Sequence, residues 1–443
     1  MTQVPGAPVP DDTVPDDTVP DDTVPPSVAD FAAAARKWLA ARRPAAAAGP
    51  EQRVWGEGSD DVSVFHRLSH QQERALLDRA MAWQREKCDA GYGAITWPEE
   101  YGGAGLSDAH ERAFIEVEAG FATPEGHETF AVTTSLVAPT VALFGTPGQR
   151  ARFVRRFLRA EELCCQLFSE PGAGSDLAGL ATRAERVKGE GGTGGEWIIN
   201  GQKIWSSGAQ FAGWGELIAR TDPSVPKHAG MTAFLIPLDA PGVRISPIRQ
   251  MSGGSSFCEV FLTDVRVPDE LRLGDVGSGW KVALATLGFE RGGSGAGRGV
   301  GGSWERLLGL AQWLGRAGDP VVRQQLASVY IHQRVRRMNA ARAAAAAAAG
   351  QPPGPEGSVG KLLWVTGMTE IGQVAAGLLG ARLTADTGEW GTFAWNDHIL
   401  GAPGYRIAGG SDEIQRNIIA ERVLGLPGDI RVDRDVPWRD IPR

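Results

Sequence analysis

Four cysteines in 443 residues, Cys88, Cys164, Cys165 and Cys258, are too few and too unevenly spaced for a disulfide framework or a zinc site. A reducing cytoplasm fits this usage. The seven histidines show no metal-ligand spacing, so no metal is expected. Positive charge is in deficit: 45 Lys and Arg stand against 53 Asp and Glu, a net charge of -8 that argues against a nucleic-acid surface. No apolar run reads as membrane-spanning, and the first residues lack the basic region and apolar core of a signal peptide. What is left is a globular protein with neither membrane nor nucleic acid as partner. Its 42% hydrophobic and 22% charged residues suit that class, and the length exceeds one ordinary core, so two or three domains are expected.

The pattern along the chain divides it. PDDTV occurs three times in succession from Pro10 to Val24, and residues 1–26 read as a disordered tail of Pro and acids that carries no chemistry. From 27 to 161 apolar residues recur at three and four, as in VADFAAAARKWLAARR and QQERALLDRAMAWQREKCDAG, which predicts a helical domain. Between 162 and 275 the period shortens. Runs such as EWIINGQKIW, MTAFLIPL and EVFLTDVRVP, separated by Gly, Pro, Asp and Asn, predict a small β-domain. Helical spacing returns from 276 to 430, leaving 431–443 as a tail. The seven alanines Ala343–Ala349 read as helix, stopped by Gly350 and two prolines.

At the start of the β-domain stands LFSEPGAGSD, residues 167–176. Two glycines in three residues free the backbone at an entropic cost, which suggests that something approaches it closely. Taken alone, the stretch is equally a tight loop between strands. Its company decides: NGQKIWSSGA follows some thirty residues later, then GWKVALATLGFER, then GGSDEIQRNIIAERVLG. Together these segments resemble the acyl-CoA dehydrogenase family over roughly residues 30–428. The resemblance implies a mainly α fold with a β middle domain: an N-terminal helical domain, a central small β-barrel-like domain and a C-terminal four-helix bundle.

It also implies FAD as cofactor and an acyl-CoA or acyl-carrier thioester as substrate, with an electron-transfer flavoprotein or similar acceptor as partner. The reaction removes a proton α to the thioester and passes a β-hydride to flavin N5, giving the 2,3-enoyl thioester, and needs a flat, dry slot for the ring. By resemblance Trp205 packs on the flavin, Ser207 bonds near N5 and Ser169 reaches the pyrimidine edge, the last two standing where Thr is commoner. Gln166, Phe168, Gly174, Ser411 and Glu413 join the cofactor site, and Ser175 touches cofactor or substrate. Arg291 and Gly409 are placed at the substrate.

Many members carry the catalytic glutamate where this chain has Gly409, in RIAGGSDEIQ. A smaller group carries it on an earlier helix directly before an Arg, and GFER supplies Glu290 and Arg291. Spacing agrees: Trp280, Ala283, Leu284 and Leu287 make an apolar stripe that Glu290 continues. The alternative is a solvated Glu-Arg pair on the last turn. A negative charge near a helix C-terminus opposes the macrodipole, and burial there lifts a carboxyl toward the range a base needs. Glu413 is the rival base. Gly409 keeps the N–H that, in the family, helps bind the thioester carbonyl.

GRGVGG, Gly297–Gly302, formally matches a dinucleotide fingerprint, but no strand precedes it, so it reads as a loop. The family's Arg-x-x-Phe-Gly segment, which reaches a neighbour's FAD pyrophosphate, has no match in RLLGLAQWLGRAGDP, although Arg298 offers another donor. Gly377 and Ala381 stand where Gln and Gly are usual. The expected assembly is a homo-oligomer, dimer or tetramer, or a heteromer with a homologous subunit. Alternative functions are a structural or cofactor-completing subunit, or a flavin monooxygenase or oxidase on the same fold.

Overall fold

The computed structural model describes residues 25–46, 55–188, 195–292, 300–351 and 354–442. The PDDTV repeat and Arg298 lie outside the described residues. Helix α1 (Val28–Ala40) is capped by Ser27, whose Oγ accepts the Asp30 N–H at 3.2 Å, and buries Phe31, Ala35 and Leu39 at spacing four. Helix α2 (His70–Asp89) opens on a capping box of Ser69 and Gln72. Helices α3 (Asp108–Glu118), α4 (Glu128–Phe144) and a helical run over 147–158, α5, complete the first helical part.

The strands follow: β1 (Cys164–Leu167), β2 (Arg183–Lys188), β3 (Gly195–Ser207), β4 (Trp214–Arg220), β5 (Met231–Pro237), β6 (Val243–Ile248), β7 (Phe257–Pro268) and β8 (Arg272–Leu273). Their order is β6-β7-β3-β2-β4-β5-β8, with β1 parallel to β4. Only Arg183 and Arg220 pair β2 with β4, so two antiparallel blocks meet at that point. Inward residues of both blocks, among them Trp197, Ile199, Val260, Leu217 and Phe234, fill one core, which gives the barrel-like middle. Strand β7 shows the cause: Cys258, Val260 and Leu262 are buried at spacing two.

Helices α6 (Gly279–Gly292), α7 (Trp304–Trp313), α8 (Pro320–Ala348), α9 (Gly357–Leu379), α10 (Trp395–Tyr405) and α11 (Asp412–Ile418) form the C-terminal part. The alanine run ends α8, and Gly350 follows with φ +76°. Together with the short turn that follows it, α9 forms a helical span, Gly357–Leu383, that is, against expectation, long and apolar enough to cross a membrane by length and composition. One face of it is buried within the protein: Trp364, Val365, Met368, Val374 and Leu378 lie in the cores it shares with α7, α8 and α10. Beyond α11 the chain returns to the strands, with Pro437 bridging Pro226.

One core positions the site. It joins α4 and α5 to Phe168, Ala173 and Leu177 around the glycine loop and to Val282 and Ala283 of α6, so loop and helix rest on common packing.

Candidate active site

The two β-domain motifs are stitched together. Ile204 N–H donates to Ser169 O at 2.9 Å, and the buried Lys203 Nζ donates to Phe168 O at 3.0 Å and Glu170 Oε1 at 2.8 Å. Glu170 also accepts the N–H groups of Ala181 and Thr182, at 2.7 and 2.9 Å. Burial would push this carboxyl up, but the Lys203 ammonium and those donors hold it below the ordinary carboxylate range. On this base the loop from Pro171 to Asp176 stands largely exposed. A Cβ at Gly172 or Gly174 would meet nothing within 4 Å, and neither residue has a positive φ. The chain's own packing therefore gives no reason for glycine, whereas a ligand seated on the loop does.

Trp205 is 57% exposed and has φ +62°, at a register shift where β3 bulges from β7. A non-Gly residue held left-handed costs about 1–2 kcal/mol, the kind of strain found at functional sites. Ser207 Oγ donates to Glu128 Oε1 at 3.0 Å, and burial raises the Glu128 carboxyl despite that hydrogen bond. Behind Glu128, His127 Nδ1 accepts the Thr129 N–H at 3.2 Å, leaving Nε2–H to donate to Glu73 Oε1 at 2.8 Å. The Nε2 of Gln166 and the Oγ of Ser206 are buried with no partner among the described residues. An exposed aromatic face, orphaned donors and an open glycine cradle fit an isoalloxazine ring.

Helix α6 carries Glu290 and Arg291 in its backbone; their side chains lie outside the described part of the structure. The apolar stripe is corrected at Leu284, which is 43% exposed. The buried face runs instead through Val282, Ala283 and Thr286, and Glu290 comes one turn after Thr286. Thr286 Oγ1 donates to the buried Glu216 Oε1 at 2.7 Å and lies 2.9 Å from Thr140 Oγ1. Burial pushes the Glu216 carboxyl from 4.5 up to about 8. The folded state thus holds this proton better than the unfolded chain. Its stabilisation is fully present below about pH 4.5 and is lost as pH rises through about 8, at about 1.4 kcal/mol per pKa unit. Glu216→Gln is expected to flatten the fall of melting temperature between pH 5 and 8, checked by thermal unfolding across pH. An unchanged slope would assign the effect elsewhere.

The C-terminal motif reaches this wall through aromatic rings. Trp205 meets Phe257 edge-on at 6.1 Å, Phe257 meets Phe65 edge-on at 5.4 Å, and Phe65 stacks on Tyr405 at 5.1 Å. Four residues beyond Tyr405, Gly409 has φ +64°, a conformation that disfavours Glu there. Its carbonyl accepts from Gln415 Nε2 at 2.8 Å. Ser411 caps α11, and Glu413 on its first turn is exposed beside Arg416 at 3.6 Å. Its own backbone N–H and the Ser411 hydroxyl lower the Glu413 carboxyl, the opposite of what a base needs. Gly377 is exposed on α9, with nothing near a Cβ built there. The described end of the dinucleotide-like run is structural: Gly302 N–H donates to His398 Nδ1 at 2.9 Å.

A cleft of about 640 Å³, lined by His66, Arg67, Arg79, Glu125 and Asp397 among others, contains none of the expected residues. Glu128 and Glu216 were not anticipated. Each lies seventy or more residues from its hydroxyl partner, and no local motif marks it.

Three family descriptions match: acyl-CoA dehydrogenase N-terminal domain over residues 66–161, middle domain over 165–265 and C-terminal domain over 277–424. Acyl-CoA dehydrogenase IpdE1 of Mycolicibacterium smegmatis is 41% identical over 366 residues, 81% of this chain and 91% of that protein. A solved structure titled Tcur3481-Tcur3483 steroid ACAD has a TM-score of 0.69 at 27% identity, covering 92% of this chain and 99% of its own. The ChsE4-ChsE5 complex from Mycobacterium tuberculosis shares the fold, with a TM-score of 0.66 at 24% identity over 92% of this chain and 100% of the matched one.

Proposed function

Because the chain belongs to the acyl-CoA dehydrogenase family, FAD-dependent oxidoreductases acting on CH–CH bonds, we propose that Glu290 is its catalytic base and that the acyl group carries steroid-type rings. The reading rests on one observation above all: the glycine loop and the Trp205 bulge are bonded into a single exposed wall. Bound FAD supplies the acceptor for the hydride leaving the β-carbon. Trp205 offers its indole face to the ring, Ser207 and Ser169 its edge contacts, and Gln166 and Phe168 the floor, with Ser411 and Glu413 at the rim. Gly174 lets the cofactor approach the loop closely, Ser175 beside it touches the thioester, and Arg291 stands next to the base. Glu290 takes the α-proton on its carboxylate, while the Gly409 N–H draws charge onto the thioester oxygen. Electrons leave to an electron-transfer flavoprotein or similar acceptor in the cytoplasm.

Anaerobic bleaching of the flavin by a panel of acyl-CoA thioesters tests this. Bleaching by ring-bearing thioesters in preference to straight-chain ones is expected. Oxygen uptake with a hydroxylated product would point instead to a monooxygenase or oxidase.

The assembly reading has its own support. RLLGLAQWLGRAGDP lacks the Arg-x-x-Phe-Gly segment, Gly377 has no amide to offer, and the structural relative at 27% identity bears a two-component name. We therefore infer a heteromer in which a homologous subunit completes the FAD pyrophosphate site. Expressed alone, the chain is expected to hold less than one FAD per subunit, with flavin and activity rescued by the co-expressed homologue. A fully flavinated, active homo-oligomer would overturn this.

A further inference from the structure

The segment after α11 is tied to the substrate side of the site. Trp438 N–H donates to Val225 O at 2.9 Å and Arg439 N–H to Pro223 O at 3.1 Å, so residues 437–439 dock on the loop between β4 and β5. The Trp438 indole N–H donates to Gly179 O at 3.3 Å, and the Arg220 guanidinium lies over its ring at 4.8 Å. Arg220 in turn donates to Ala178 O at 2.6 Å. Lys227, in the docked loop, pairs with Asp433 at 2.7 Å on one side and with both oxygens of Asp176, at 2.9 and 3.0 Å, on the other. Asp176 closes LFSEPGAGSD and adjoins Ser175. The next residue, His228, meets Trp280 of α6 edge-on at 4.8 Å, so the same loop touches the helix that carries Glu290.

We propose that residues 433–439 form a strap whose Asp433 and Trp438 position the glycine loop, through Lys227 and Asp176, for the incoming thioester; this rests on the reading of Ser175 as a substrate contact. The physical need is plain. Pro171, Gly172, Gly174, Ser175 and Asp176 are exposed, and the cradle their backbone forms has nothing of its own packed against the glycines. Exposed residues of this kind lose freedom when a ligand binds, at about 0.5–1.5 kcal/mol per immobilised side chain. Tethering Asp176 through Lys227, itself held by Asp433 of the strap, removes that cost beforehand. Lys227 is the joint, since its ammonium is mostly enclosed between the two carboxylates.

Asp433→Asn, Trp438→Ala and a truncation after Gly428 test the strap in the FAD-loaded protein, with its partner subunit present if one is needed. The KM for an acyl-CoA substrate is expected to rise about tenfold with kcat within about twofold, because only the ordering cost returns. Amides of residues 171–176 are expected to exchange faster, and Asp433→Glu is expected to restore both readings. Ser175→Ala separates the two ideas. If it leaves KM unchanged, the reading of Ser175 fails, and hydrogen exchange on the flavin-free variants still decides the strap. If it raises KM while the strap variants change neither KM nor exchange, the strap is overturned.

Discussion

Glu290→Gln is expected to keep bound FAD and the melting temperature while slowing flavin reduction by acyl-CoA about 10²–10⁴-fold, the usual contribution of a positioned base. The amide nearly matches the carboxylate in shape but cannot take the α-proton. The helix does not depend on the residue for its seating, because Val282, Ala283 and Thr286 form its buried face. Glu413→Gln is the comparison. That carboxylate is exposed and held low at the first turn of α11, so its loss removes a contact at the flavin rim but no base, and is expected to slow flavin reduction by less than about tenfold. Stopped-flow absorbance under anaerobic conditions reads both variants. An unimpaired rate in Glu290→Gln, or a collapse in Glu413→Gln, would move the base elsewhere.

Much of this arrangement was legible because it is written in periods and local chemistry. The change from spacings of three and four to spacing two marks the strands, and β7 obeys it through Cys258, Val260 and Leu262. From the sequence the glycine loop and KIWSSG read as one expected site, and the bonds of Lys203 and Ile204 join the two segments. Other features depend on contacts between distant segments. Leu284 has the spacing of a core residue yet faces outward, because Val282, Ala283 and Thr286 meet the shared core instead. Residues 357–383 are apolar enough for a membrane although only one face of the helix is buried against neighbouring helices, and composition cannot tell lipid from protein. Glu128 meets Ser207 across 79 residues, and Glu216 meets Thr286 across 70, so neither pair leaves a trace in a local window. The left-handed backbone of Trp205 was equally invisible, since nothing about tryptophan announces a positive φ.

That backbone makes the other large prediction sharper than removal of a side chain alone. Trp205→Gly is expected to weaken FAD binding about tenfold to a hundredfold, because the aromatic face that covers the ring is gone, a loss on the order of 1.4–3 kcal/mol. The flavin-free protein is expected to melt no lower than its parent. Glycine relieves a left-handed conformation that costs a side-chain-bearing residue about 1–2 kcal/mol, which offsets the added freedom of the unfolded chain. The lost packing is small, since Trp205 is more than half exposed and meets Phe257 only by an edge. A tryptophan kept for the fold would behave in the opposite way: its removal costs about 3–5 kcal/mol of stability and leaves a ligand's affinity untouched. Trp205→Phe, which keeps a smaller face, is expected to fall between parent and glycine in affinity. Flavin fluorescence titration gives the affinities, and thermal unfolding of the flavin-free chains gives the stabilities. A Trp205→Gly protein that binds FAD as tightly as its parent while melting several degrees lower would show that the indole serves the core, and the flavin slot would have to be sought on another wall.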